Sequence, residues 1–141
     1  MEAEIAPPEG FSRHYRRSPL TDPWEPLWSR KAGGGVVRLG FRAGEAHANG
    51  RGFVHGGMIS ALADNAMGLS CAETLGDGAS LVTVSLALDF LGVAYPGQWV
   101  EIAPKVNRAG ATLCFAEADV TADGHPCAKA HATFRVLKRT G

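Results

Sequence analysis

The stretch NGRGFVHGGM, residues 49–58, sets Asn49 and His55 among four glycines, Gly50, Gly52, Gly56 and Gly57, and an Ala-rich run with helical spacing follows at once. Nine residues past His55 stands Asp64, the only ionisable carboxylate between Gly57 and Ala72. Backbone N–H groups in the first turn of a helix lack intrahelical partners, and the helix dipole adds partial positive charge there. Glycines let an anionic oxygen approach such donors without interference from a Cβ. Gly56 and Gly57 can therefore hold a developing oxyanion, or they can simply make a tight turn into the helix. An enclosed carboxylate is costly unless paired or hydrogen-bonded. Asp64 is then either satisfied by a neighbouring hydroxyl or a partner chain, or it acts as a general base or a nucleophile. A lone histidine such as His55 is more often structural than catalytic, and Asn49 in A-N-G can equally form a turn.

The apolar spacing Ile59, Leu62, Ala66, Leu69 predicts a helix over 57–74. A second side carries the small residues Ala61, Asn65, Gly68 and Ala72, where another backbone can approach closely. With so few charges this helix is expected to be enclosed on most sides. Before it, VVRLGFR predicts a first strand with Val37, Leu39 and Phe41 on one face. After it, LVTVSLALDFL, WVEIAPKV, ATLCFAEADV and CAKAHATFRVLK read as four successive strands. Their connections AYPGQ, NRAG and ADGHP carry turn chemistry, so the strands are expected to be antiparallel neighbours. The implied fold is α+β, a curved antiparallel sheet wrapped around one central helix. One helix covers one face of such a sheet, and oligomerisation is the natural cover for the rest.

Residues 1–33 read as an N-terminal arm and 34–141 as the domain proper. The first ten residues look loosely attached, and Pro19, Pro23 and Pro26 forbid a long helix in the arm. Its Leu20, Trp24, Leu27 and Trp28 are expected to pack down on the domain, Trp24 and Trp28 by plain packing more than as a cap on a ligand pocket. At 141 residues with 45% hydrophobic content and 20% charged residues, the chain suits one soluble domain. Zero formal charge gives no field favouring nucleic acid or an anionic membrane. The absence of an 18-residue apolar run argues against a transmembrane helix, and MEAEIAPPEG is unlike a signal peptide. Cys71, Cys114 and Cys127 read as reduced core thiols of a cytoplasmic protein. His14, His47, His125 and His131 have no convincing ligand spacing, so no metal is expected, and the reading reached below calls for no cofactor.

HANGRGFVHGGMISALADNAMG resembles the signature of hot-dog-fold acyl-CoA thioesterases of the phenylacetic-acid-degradation type, within the broad 4-hydroxybenzoyl-CoA thioesterase superfamily. The matching features are Asn49, then His55-Gly56-Gly57, then Asp64. VTVSLALDFLGVAYPG and CAKAHATFRVLK resemble that family's next and last strands, so the likeness covers roughly residues 34–139. It implies a homodimer, often paired into a tetramer, with sites at the dimer interface and an acyl-CoA substrate. It also implies Asp64 as the catalytic carboxylate and Gly56 as backbone donor to the thioester carbonyl. Asn49 and His55 would shape the site beside them, with Gly57 and Met58 as substrate contacts. Thr83 lies where some relatives carry a serine that holds the attacking water, and it keeps the hydroxyl. The family's F-L-R-P strand exit reads FLGVAYPG here, so the arginine and proline of that corner are gone.

Thioester hydrolysis needs an attacking group and an oxyanion site, and a strong general acid is less necessary because a thiol's pKa is near 8.5. Gly56 and Asp64 are eight positions apart, about 12 Å along one helix at 1.5 Å per residue. Donor and attacking group must each lie within roughly 3 to 3.5 Å of the reacting atoms. One helix cannot supply both, so the site is expected to combine Gly56, Asn49 and His55 of one protomer with Asp64 and Thr83 of another. Arg108, Arg135, Lys138 and Arg139 can meet coenzyme A phosphates but more often form a solvated surface. Two rival readings are a hot-dog hydratase or dehydratase, and an acyl-CoA binder without catalysis.

Overall fold

The computed structural model describes residues 5–76 and 78–138. Among them one antiparallel sheet of seven strands curves around a single long helix, as the strand and helix patterning predicts. In chain order the elements are β1 (Ser12–Arg13), β2 (Trp28–Lys31), β3 (Val37–Arg42), α1 (Gly56–Leu75), β4 (Ser80–Phe90), β5 (Trp99–Ala109), β6 (Leu113–Ala122) and β7 (His125–Lys138). Across the sheet they run β1-β2-β3-β5-β6-β7-β4. The β6–β7 hairpin closes on Asp123 and Gly124, both with positive φ, the mirror-image turn that matches strand twist.

The core lies between α1 and the sheet. Ile59, Leu62 and Ala66 are buried, as their spacing predicts, and Val37, Leu39 and Phe41 of β3 are buried beside them. Beneath the helix, β6 and β7 oppose alanine to alanine, Ala116 to Ala132 and Ala118 to Ala130. Such short side chains let a helix come close to a sheet. Ser70 adds a polar tether: its hydroxyl donates to the Ala66 carbonyl at 2.7 Å and accepts the Val37 N–H at 3.0 Å. Left unmade in this buried setting, such a bond costs about 1–3 kcal/mol.

The arm joins the sheet, because β1 and β2 continue it outward from β3. Asp22–Trp24 forms one 3-10 turn, all the helix that the prolines allow. The end of the first ten residues, expected to be loosely attached, instead closes a turn over residues 8–11 in which the Phe11 N–H donates to the Pro8 carbonyl at 3.2 Å. The Phe11 ring packs edge-on against Trp99 at 5.2 Å, and that contact holds the segment down. Residues 1–4 lie outside the described ones.

β4 departs from simple alternation. Period two would put Val82, Val84, Leu86, Leu88 and Phe90 on one face and Thr83 on the other. In the structure Thr83 opposes Phe134 and Ser85 opposes Thr133, leaving Val84 unpaired in a β-bulge. Opposed residues share a face, so the bulge moves Thr83 to the helix side together with Leu86, Leu88 and Phe90. Among the described residues β4 has a strand on one side only, and Val84 (60% exposed) and Phe90 (50% exposed) remain open.

All three cysteines are buried and unpaired. Burial, reinforced by Cys114, pushes the Cys71 thiol up to about 12, and burial also raises Cys127. The thiolate is the reactive form, so the native protein is expected to resist a thiol reagent at mildly alkaline pH and to react fully only in denaturant. Timed titration with a chromogenic disulfide in both states checks this; rapid native labelling of a full equivalent at Cys71 contradicts it.

Candidate active site

The glycine-rich stretch folds in two parts. In the first, the Asn49 side-chain oxygen accepts the Arg51 N–H at 2.9 Å and the Phe53 N–H at 3.3 Å, while the Asn49 N–H donates to the Phe53 carbonyl at 2.8 Å. Gly52, at φ +91, makes the sharp return possible. Asn49 thus builds the loop that leads into α1, through the turn chemistry available to its side chain.

His55 occupies the helix N-cap in extended conformation, and its Nδ1 accepts the Gly57 N–H at 2.8 Å. It does what serine or aspartate usually does at that position, a contribution of about 1 kcal/mol to a helix start. The His55 N–H is itself held by the His47 carbonyl at 2.9 Å, and the Met58 and Ile59 N–H groups donate to the His55 carbonyl at 3.1 and 3.2 Å. Among the described residues only the Gly56 N–H of this first turn has no acceptor. The two glycines therefore have different tasks. A Cβ on Gly57 would sit 2.9 Å from the His55 ring, so Gly57 makes room for the cap. Gly56 carries the free donor, at the positive end of the helix dipole. Met58 points into the core and is buried, and the exposed flank of this end is Phe90, whose ring lies 3.1 Å from where a Gly56 Cβ would be.

His47, which supports the loop from beneath, is buried, with Nδ1 accepting the Gly44 N–H at 3.0 Å and Nε2–H donating to the Trp24 carbonyl at 2.9 Å. Burial holds its pKa below the ordinary histidine value, against the opposing effect of the Trp24 carbonyl.

Asp64 lies midway along α1, half-buried, and its Oδ1 accepts the Thr83 hydroxyl at 2.7 Å. That bond exists because the Val84 bulge turns Thr83 inward. Oδ2 has no partner among the described residues. Both side chains border a cavity of about 640 Å³ that runs along the small-residue side of α1, past Asn65, Gly68 and Ala72. The small residues therefore leave open space beside the helix, which no other backbone among the described residues fills. Leu62, Leu69, Leu81 and Phe134 supply apolar wall. Trp24 and Trp28 do not border the cavity; Trp24 packs on the core, and Trp28 lies under the Arg13 guanidinium at 5.0 Å.

Asn49, His55 and Gly56 are gathered at one end of the helix, and Asp64 and Thr83 are gathered two turns away on a cavity that includes none of the first group. Within the single described chain these are two separate groups of residues. Phe90 and Val84 were invisible to sequence reasoning, because their roles depend on the fold of β4 and not on their type. Arg108 and Arg135 are exposed, and Arg139 lies outside the described residues.

A family model described as the thioesterase superfamily matches residues 51–129. A Pseudomonas aeruginosa protein classed as an esterase is 36% identical over 129 residues, 92% of this chain and 96% of that one. Human acyl-coenzyme A thioesterase 13 is 34% identical over 89 residues, 62% of this chain and 61% of that one. Among solved structures, a Streptococcus mutans protein bound to acetyl CoA superposes with a TM-score of 0.77 at 26% identity, covering 91% of this chain and 98% of that one.

Proposed function

Because this chain belongs to the thioesterase superfamily, whose hot-dog fold it shares and whose members named above include thioester hydrolases, we propose that it hydrolyses an aryl- or medium-chain acyl-CoA to the free acid and coenzyme A. The observation that carries this reading is the division of α1 into a free Gly56 N–H at one end and a Thr83-held Asp64 about 12 Å further along. Asp64 Oδ2 takes a proton from water, and the resulting hydroxide attacks the thioester carbon. The carbonyl electron pair moves onto oxygen, where the Gly56 N–H of a second protomer and its helix dipole stabilise the charge. Collapse of that intermediate breaks the C–S bond, and the departing thiolate takes up the proton that Asp64 gained.

The homodimer, alone or paired into a tetramer, finds support in β4. That strand is open along one edge and carries exposed Val82, Val84, Leu86 and Phe90, an arrangement that solitary soluble domains avoid. It also borders both half-sites, Thr83 at Asp64 and Phe90 at Gly56. A partner docked on β4 about a two-fold axis can bring each chain's Gly56 to the other's Asp64. Three unpaired buried thiols suit a reducing, cytoplasmic setting.

The test is thiol release from a panel running from acetyl-CoA through octanoyl-CoA to benzoyl-CoA and phenylacetyl-CoA. Expected is one free thiol per acid formed, with the medium-chain or aryl esters ahead of acetyl-CoA. Thermal stabilisation by these esters without thiol release would instead identify a binder, and water addition to an enoyl-CoA a hydratase.

A further inference from the structure

We propose that Arg16 reads the far end of the acyl group, so that the preferred substrate is an acyl-CoA whose acyl chain ends in a carboxylate. This rests on the acyl-CoA hydrolase reading above. The cavity begins at Asp64 and Thr83, where the thioester must lie, and follows α1 to Ala72, a span of eight residues or about 12 Å. Along that span Leu62, Leu69, Leu81 and Phe134 give apolar surface that suits an alkyl or aryl body, with Asn65 and Ser80 as polar interruptions. The far wall changes character. It is lined by the arm, which contributes the buried His14 together with Arg16, Arg17, Ser18 and Thr21.

These polar groups are not equivalent. Ser18 and Thr21 bond each other through their hydroxyls at 3.0 Å, and Arg17 is paired with Asp22 at 3.2 Å. Arg16 has neither an ion pair nor a hydrogen bond among the described residues. It also borders a second recess of about 310 Å³, which shares Leu69, Ala72, Gly78 and Ala79 with the first. Arg16, an exposed residue, thus borders both spaces where they adjoin. The acid on the recess wall, Glu73, is engaged by Lys31 at 3.5 Å. Asp64 borders the first space only and is no part of the recess beside Arg16. A planar cationic fork beside that apolar surface favours a carboxylate over a methyl or a hydroxyl.

The experiment compares suberoyl-CoA with octanoyl-CoA, equal in length and differing in the terminal carboxylate, using full-length wild type, Arg16→Met and Arg16→Glu. The readout is the ratio of kcat/KM for the two esters. Wild type is expected to favour suberoyl-CoA by about tenfold, roughly one charge-assisted contact. That ratio should fall to near one in Arg16→Met, through KM for suberoyl-CoA, and below one in Arg16→Glu. Hydrolysis of both esters with a wild-type ratio at or below one overturns the inference alone. Equal losses on both esters, with weaker inhibition by free coenzyme A, would assign Arg16 to the coenzyme's phosphates and overturn it too. Failure of wild type to hydrolyse any ester in the wider panel overturns the hydrolase reading, and this inference with it.

Discussion

Replacing Asp64 by alanine is expected to lower kcat for thiol release by at least about a hundredfold, the range for loss of a general base. The side chain is half-buried and meets the rest of the described chain through Thr83, so its removal leaves the core residues of α1 untouched. Thermal stability should therefore change little compared with activity. Asparagine sharpens the test. Its amide oxygen can still accept the Thr83 hydroxyl and keep the geometry, but it cannot take a proton from water. If Asp64 only anchors Thr83, Asp64→Asn retains most of the turnover. If Asp64 is the base, both variants fail alike, with kcat and kcat/KM falling together and KM nearly unchanged, the mark of a group that acts in the transition state. Steady-state kinetics on octanoyl-CoA, with melting curves for each variant, decide between these; turnover retained by both variants would remove Asp64 from the chemistry.

Asp64 could be singled out from its neighbours because it is the one carboxylate between Gly57 and Ala72, on a stretch of helix otherwise without charge, and such local conflicts mark function. The helix and the five long strands were equally legible, since their apolar periods are long and their turns carry recognisable residues such as Asp123-Gly124. What stayed hidden has a common cause. β1 and β2 are two and four residues long, too short for alternation to show against a proline-rich background. The Val84 bulge leaves no trace in residue types, yet it decides which face of β4 receives Thr83. The pairing of tasks within His55-Gly56-Gly57 likewise depends on where one imidazole turns. Sequence offers two glycines with free donors, and the His55 ring removes Gly57 from that pair. The polar arm wall is a tertiary juxtaposition, since nothing near Arg16 in the chain announces that it reaches the far side of α1.

That division between Gly56 and Gly57 makes a selective substitution possible. Gly56 is the first residue of α1, where proline is well tolerated because its fixed φ suits a helix start. The preceding residue must then be extended, and His55 already is, at φ −66 and ψ 129. Gly56→Pro thus removes the one unpaired N–H with little disturbance to the cap. Gly56→Ala keeps that N–H and asks only that the exposed Phe90 ring shift by a few tenths of an ångström. The proline variant is expected to lose turnover by about a hundredfold, as for loss of an oxyanion donor, and the alanine variant to keep most of it. Neither Gly56→Pro nor Asp64→Ala should work alone. Mixed after co-refolding, the two can share: a heterodimer holds one site with both the intact Gly56 of one chain and the intact Asp64 of the other, and one site lacking both. Random pairing of equal amounts makes about half of the dimers mixed, each with one working site of two, so activity should return to about a quarter of wild type. Differently tagged chains allow the heterodimer to be purified and its turnover measured directly. Verified heterodimers as inactive as either parent would mean that each chain completes its own site, and the separation of about 12 Å along α1 would then have to be bridged within one subunit.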